Sequence, residues 1–150
     1  MRILASLLVA LVILCHAAPA QTLDSRHSGR PTGDFDGKTL ALINAYRADK
    51  GLTKLLPSGA LHTIAREHSR YQANRNKLSH DGFRQRMGKA KAAGLSPRCT
   101  ENAGYNYRSP QHLFAGWRQS SGHNQNLLRP HLRYAGVSVV GRYSTFFACG

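Results

Sequence analysis

Two histidines stand where a scaffold could present them to a ligand. His80 follows Ser79 and precedes the turn signal Asp81-Gly82; His123 follows Ser121-Gly122. Both positions come just after stretches of helical periodicity, so both are expected on loops at helix ends, where side chains reach into clefts. Glu101, in Thr100-Glu101-Asn102, is one of only two Glu residues in the chain. A carboxylate bonded to an imidazole fixes its tautomer and raises its basicity. Two neutral imidazoles and a carboxylate also make a usable zinc set with an open position. His80, Glu101 and His123 are therefore the candidate site: ligands for zinc, or the base and its orienting group in a hydrolase. Ser79 and Ser121 each lie within two residues of a candidate histidine, but Ser at a helix end also serves as a cap.

The other histidines carry less. His68 shares an apolar helix face with Leu61 and Ala65 and is expected to be a buried core residue, separate from the pair. His62, on the other side of that helix, is expected at the surface. His27, His112 and His131 receive no role. The chain contains no His-Glu-x-x-His helix, no Cys-x-x-Cys pair and no Gly-x-Ser-x-Gly elbow.

The elements that must position these residues begin after a leader. Met1-Arg2 gives a positive start, Ile3 to Leu14 is uncharged and broken only by Ser6, and Ala18-Pro19-Ala20 offers small residues for cleavage. Residues 1–20 read as a secretory signal peptide cut near Ala20, with a retained anchor as the alternative. Residues 21–37 read as a flexible polar arm, and one domain fills 38–150. Helices are expected over Lys38–Lys50, from an N-cap at Ser58 to about Lys77, over Phe83–Ala93, and over Gln111–Ser121. Glu101 to Tyr107 reads as a strand; Tyr134–Tyr143 and Thr145–Cys149 read as a hairpin turning at Gly141 to Ser144. Early helices and late strands, without alternation, predict an α+β fold with an antiparallel sheet. Cleavage removes Cys15 and leaves Cys99 and Cys149, which in an exported chain read as one disulfide; two buried thiols are the alternative.

Several stretches in order resemble the CAP superfamily, also called SCP-like: the cysteine-rich secretory, antigen 5 and pathogenesis-related 1 proteins, in its small bacterial secreted branch. They are Asn44-Ala45-Tyr46-Arg47-Ala48, Gly51-Leu52, Leu61 through Ala65 to His68-Ser69, Ser79-His80, Ala93-Gly94-Leu95, Glu101-Asn102-Ala103-Gly104, Trp117, Tyr134-Ala135-Gly136-Val137 and, most specific, Ser120 to Leu128. The resemblance implies an α-β-α sandwich around a central antiparallel sheet with a C-terminal hairpin. It also implies a cleft with two His and two Glu, falling here on His80, His123 and Glu101. The fourth position falls on Ser120, which supplies no carboxylate and weakens any metal site.

The reading of function that follows is a secreted domain whose His/Glu cleft binds a lipid, an envelope component or a divalent metal such as zinc. The alternatives are a metal- or His-dependent peptidase or esterase acting outside the cytoplasm, and a cationic module on anionic envelope surfaces. The last rests on charge: 21 Lys+Arg against 7 Asp+Glu give +14. Arg66, Arg70, Arg75 and Lys77 gather around the second helix, and Arg84, Arg86, Lys89 and Lys91 along the third. Such a surface attracts polyanions over about 8–10 Å at ordinary salt. No nucleic-acid recognition motif is present, so the expected partners are a small hydrophobic ligand or an anionic envelope or membrane surface, bound by a monomer.

Overall fold

The structure, a computed structural model, describes residues 32–150, with side chains from Phe35 onward. The expected leader and cleavage site in residues 1–20, His27 and residues 21–31 of the expected arm lie outside the described residues. In chain order the elements are α1 (Thr32–Asp49), β1 (Leu56–Pro57), α2 (Gly59–Arg75), α3 (Phe83–Ala92), β2 (Cys99–Tyr105), α4 (Pro110–Gln119), α5 (Ser121–Leu127), β3 (Tyr134–Val140) and β4 (Tyr143–Cys149).

The four strands lie in the order β1-β3-β4-β2, all antiparallel except the two-residue β1, which runs parallel to β3. β4 is central and buried along its whole length. A strand's side chains alternate between faces, so β4 serves two cores. Phe146 and Ala148 join Ile43, Leu113, Trp117 and Leu127 of α1, α4 and α5. Phe147 and Cys149 join Leu61, Ile64, Ala65 and Ala90 of α2 and α3. The result is an α-β-α sandwich.

Local chemistry explains the element ends. Ser58 caps α2, its hydroxyl accepting from the Leu61 N–H at 3.3 Å. Asn76 ends that helix in the left-handed region, at φ 48°. Ser109 caps α4 ahead of Pro110. Gly141, at φ 60°, makes the tight β3–β4 turn.

Three sequence expectations need correction. α1 starts at Thr32, so residues 32–37 are helical rather than arm, and Phe35 and Asp36 are buried. Their Gly-Asp-Phe-Asp-Gly composition hides the helix because Gly and Asp are weak helix formers. β2 starts earlier and ends at Tyr105, where Asn106 turns the chain at φ 64°. The Ser120–Leu127 stretch holds a short helix, α5, that the sequence did not suggest; its polar Ser-Gly-His-Asn-Gln-Asn run has no apolar period.

α5 is held from below by Arg47, which is 0% exposed. Its Nη1 donates to the carbonyls of Leu127 (2.7 Å) and Arg129 (3.0 Å), and its Nε to that of Thr53 (3.0 Å). A guanidinium thus takes up carbonyls at the C-terminal end of α5, as helix dipoles favour. Burial holds its pKa below the usual arginine value. Asn44 of the same helix bonds both backbone groups of Leu55 and so positions β1.

Cys99 and Cys149 face each other across the β2–β4 ladder and form a disulfide, with Cα atoms 4.1 Å apart and a sequence separation of 50. On the chain-entropy model a loop of that length stabilises by about 4 kcal/mol. Gly136 lets α2 lie directly on β3: a Cβ there would stand 2.1 Å from the His62 backbone N. Since backbone must move to make room, Gly136→Ala is expected to lower unfolding free energy by about 1–3 kcal/mol. Urea melts of the oxidised protein measure it, and Gly122→Ala, with open space around it, should show no comparable loss.

Candidate functional site

β2 is an edge strand, and the two helical layers meet around it. The register explains how. Glu101 lies opposite Phe147 and Asn102 opposite Phe146, so Glu101 faces α2 and α3 while Asn102 faces α4 and α5.

On the first face Glu101 is buried, with its side chain 1% exposed. Its Oε2 accepts from Arg86 Nε at 2.6 Å, and its Oε1 from Arg86 Nη2 at 2.8 Å. Oε1 also accepts from His80 Nδ1 at 2.8 Å. The third Arg86 nitrogen, Nη1, donates to the Asp81 carbonyl at 2.7 Å, and Nη2 reaches the His80 carbonyl at 3.3 Å. One guanidinium therefore holds the carboxylate and also the loop that carries His80. Such two-point contacts are the strong form of charge-assisted bond.

Burial, the largest single influence on Glu101, pushes its pKa up. The His80 and Arg86 hydrogen bonds, with the Arg86 and His68 charges, outweigh it and hold the carboxyl below its ordinary value. Glu101 is thus a buried carboxylate. Since it can only accept, the His80 hydrogen facing it sits on Nδ1, and in the neutral ring Nε2 is then the acceptor. His80 is about half exposed, at 54%.

His68 departs from expectation. It is buried as anticipated, but it is not separate: its Nε2 lies 3.6 Å from Glu101 Oε1. The same nitrogen donates to the Ser79 carbonyl at 2.8 Å, so α2 also helps fix the loop. Burial, foremost, lowers the His68 pKa against the pull of Glu101. Gln72 Oε1 accepts from the Ser79 N–H, and its Nε2 reaches Thr145 Oγ1.

On the second face, Asn102 Nδ2 donates to the His123 carbonyl at 3.0 Å. Asn126 Nδ2 donates to Asn102 Oδ1 at 2.9 Å and to the Glu101 carbonyl at 3.0 Å. Trp117 Nε1 donates to the Ala103 carbonyl at 3.0 Å. His123 is carried by α5 rather than by a loop. Among the described residues its ring makes no hydrogen bond to Glu101 or His80. Burial first, and second the positive charge that His80 carries when protonated, hold its pKa below the ordinary histidine value.

Between the faces lies a hollow of about 320 Å³ lined by His80, Phe83, Thr100, Glu101, Asn126 and Arg129. Arg129 is steadied by Asn126 Oδ1 at 3.2 Å. The hydroxyls singled out by sequence serve local structure or stand apart. Ser79 Oγ accepts from the Asp81 N–H at 3.3 Å, and among the described residues no Ser or Thr hydroxyl bonds a histidine ring.

The fit to zinc can be judged from the donors. A catalytic zinc centre takes three protein ligands and a water. Among the described residues no three His, Cys, Asp or Glu side chains are grouped to hold a metal ion. Both Glu101 oxygens are engaged by Arg86, whose charge would oppose a cation, and Ser120 brings no carboxylate. The expected set of His80, Glu101 and His123 does not fit such a centre.

Sequence reasoning missed Arg86, which it counted in a solvated basic face but which is only 8% exposed. It also missed the roles of Asn102, Asn126 and Arg129. Arg86 falls four residues before buried Ala90 on α3, a spacing that places both on one face.

An α-β-α sandwich whose edge-strand Glu101 meets His80 of a neighbouring loop, with Asn102 and Asn126 tying that strand to α5, defines a class of domain. The model of the cysteine-rich secretory protein family, or CAP, matches residues 40–150, and the chain belongs to that family. It is 28% identical over 109 residues to the uncharacterized protein YkwD of Bacillus subtilis, covering 71% of this chain and 42% of that protein. A Bacillus anthracis extracellular protein containing an SCP domain superposes with a TM-score of 0.72 at 21% identity, over 79% of this chain and 41% of the other. A cysteine-rich secretory protein of Staphylococcus aureus gives a TM-score of 0.68 at 21% identity, over 81% and 40%. The chain thus spans about two fifths of the length of these relatives.

The Arg86–Glu101 pair has a clear energetic signature. Removing one charge leaves the other buried and unmatched, which costs about 3–5 kcal/mol. Glu101→Gln is expected to lose that much at pH 7. The depressed carboxyl also makes wild-type stability fall as pH drops below about 4.3, the unfolded Glu value, because the unfolded chain takes up the proton first. Glu101→Gln should lack this acid limb. Chemical denaturation between pH 3 and 7 reads both, and an unchanged acid limb in the variant would remove Glu101 as its source.

Proposed function

We propose that this chain is exported and that its CAP domain is a binding module, with the β2-edge cleft receiving a hydroxyl-rich, anionic segment of a cell-envelope polymer. Export is supported by the Cys99–Cys149 disulfide, by the extracellular description of the Bacillus anthracis protein of similar fold, and by the leader read in residues 1–20. No helix among the described residues is long and apolar enough to cross a membrane.

The observation that carries the binding reading is the closed Arg86–Glu101–His80 unit. It engages the carboxylate that lines the cleft and fixes the imidazole through Nδ1, leaving Nε2 without a partner among the described residues. What remains for a ligand is complementary to a charged saccharide: His80 Nε2 accepts from a hydroxyl, Arg129 meets a carboxylate or phosphate, and Phe83 offers an apolar wall for a ring face. Hydrolysis has less support, because no described hydroxyl is activated by an imidazole and Glu101 is committed to Arg86.

Retention on isolated envelope polymer at fixed salt tests this. His80→Ala and Arg129→Ala are expected to weaken retention about tenfold each. Arg84→Ala and Lys91→Ala, which change the same charge on α3, should shift it no more than twofold. Equal losses in all four variants would reduce the interaction to general charge attraction. Ester or peptide turnover that His123→Ala abolishes would replace the binding reading with a hydrolytic one.

A further inference from the structure

A second hollow, of about 270 Å³, opens at the opposite edge of the sheet from β2, where the first turns of α1 and α2 approach β1 and β3. Its lining is largely apolar, with Leu40, Pro57 and Val137, and Asp36 and His62 also border it. Two features there bear on what the hollow could hold.

The first is Asp36. Its side chain is only 7% exposed, and Oδ2 takes a bond from His62 Nε2 at 3.2 Å. Its other oxygen, Oδ1, is buried and has no partner among the described residues. A buried acceptor without a donor is costly and rare in folded proteins. Burial pushes the Asp36 carboxyl up to about 6, and His62, the Val139 N–H and Arg66 only partly offset it. Near pH 7 the group is still a carboxylate, and Oδ1 makes no hydrogen bond among the described residues.

The second is a pair of glycines. Gly37 lies inside α1 and Gly59 is the first residue of α2, and neither has a positive φ. A Cβ built at either meets no atom within 4 Å. Gly inside a helix is less favourable than Ala, and neither turn geometry nor close approach requires it here. Both open onto the same hollow as Asp36. Both glycines are exposed, and a side chain at either would extend into the mouth of the hollow.

We propose that this hollow is a second binding site, taking a short aliphatic chain that ends in an ammonium group. The ammonium donates to Asp36 Oδ1, and the chain lies along Leu40, Pro57 and Val137 in the room left by Gly37 and Gly59. An ionised acceptor favours a charged donor over a neutral one. The site shares no lining residue with the β2-edge cleft and does not depend on the function assigned to that cleft.

Calorimetry and ligand-observed NMR with n-hexylamine, n-hexanol and n-hexanoate test the proposal. Saturable binding of hexylamine is expected, about tenfold tighter than hexanol, with none for hexanoate. Gly37→Leu should abolish hexylamine binding while its melting temperature stays level or rises, since the helix gains a better former. Asp36→Asn, nearly isosteric, should bring hexylamine down to the affinity of hexanol. The proposal is overturned if hexylamine does not bind, if the three head groups bind alike, or if Asp36→Asn leaves the amine preference intact. Undiminished binding by a folded Gly37→Leu overturns it as well. Should Gly37→Leu fail to fold, the Asp36→Asn comparison decides the matter alone.

Discussion

The contact between Arg86 and Glu101 is the constraint on which the rest of the cleft depends. A carboxylate with 1% of its side chain exposed could not remain ionised without it. Because Arg86 also binds the carbonyls of His80 and Asp81, the same side chain fixes the path of the loop after α2. The loop in turn delivers His80 to Glu101. Ion pair, loop and imidazole therefore form or fail together. Buried pairs of this sort add little net stability compared with an apolar core, but they make alternatives to the native arrangement expensive. Here what they specify is the orientation of one exposed ring.

Around that pair the architecture is a matter of faces. The strict alternation of β2 sends Glu101 to α2 and α3 and sends Asn102 to α5. Neither helical layer could build the cleft alone. α5 is short and offers little apolar surface, so its position depends on polar ties: Asn102 and Asn126 from the sheet side, and Arg47 at its C-terminal end. Through Arg47 the first helix helps set the wall opposite His80. This is how a fully buried arginine is accommodated on α1 with no carboxylate partner among the described residues: carbonyls at the end of another helix supply the negative field to Nη1, while Nη2 has no partner there.

Much of this was legible in the sequence, and the failures have physical causes. The Glu101–His80 contact could be anticipated because a scarce carboxylate in a strand and a histidine at a turn are both unusual. The sandwich followed from ordered motifs, and the cysteine pairing from the count left after the leader. Arg86 was hidden because a basic residue among Arg84, Lys89 and Lys91 looks like solvent-facing charge; only the burial of its face tells otherwise. His68 was read correctly as buried, but a helix pattern cannot reveal which distant strand approaches it. α5 was missed because its stability comes from side-chain ties to other elements, and local propensity carries no trace of those. The start of α1 was missed for the complementary reason: Phe35 supplies the anchoring burial that its glycines and aspartates conceal.

The outer rim of β2 has one more consequence. An edge strand normally offers free carbonyls on which a foreign strand can grow. Here the carbonyls of Glu101 and Ala103 are already claimed, by Asn126 and Trp117. Asn126, which lines the hollow, and Trp117 of the core therefore also blunt strand addition at this edge, and losing either would free a carbonyl there for a foreign strand.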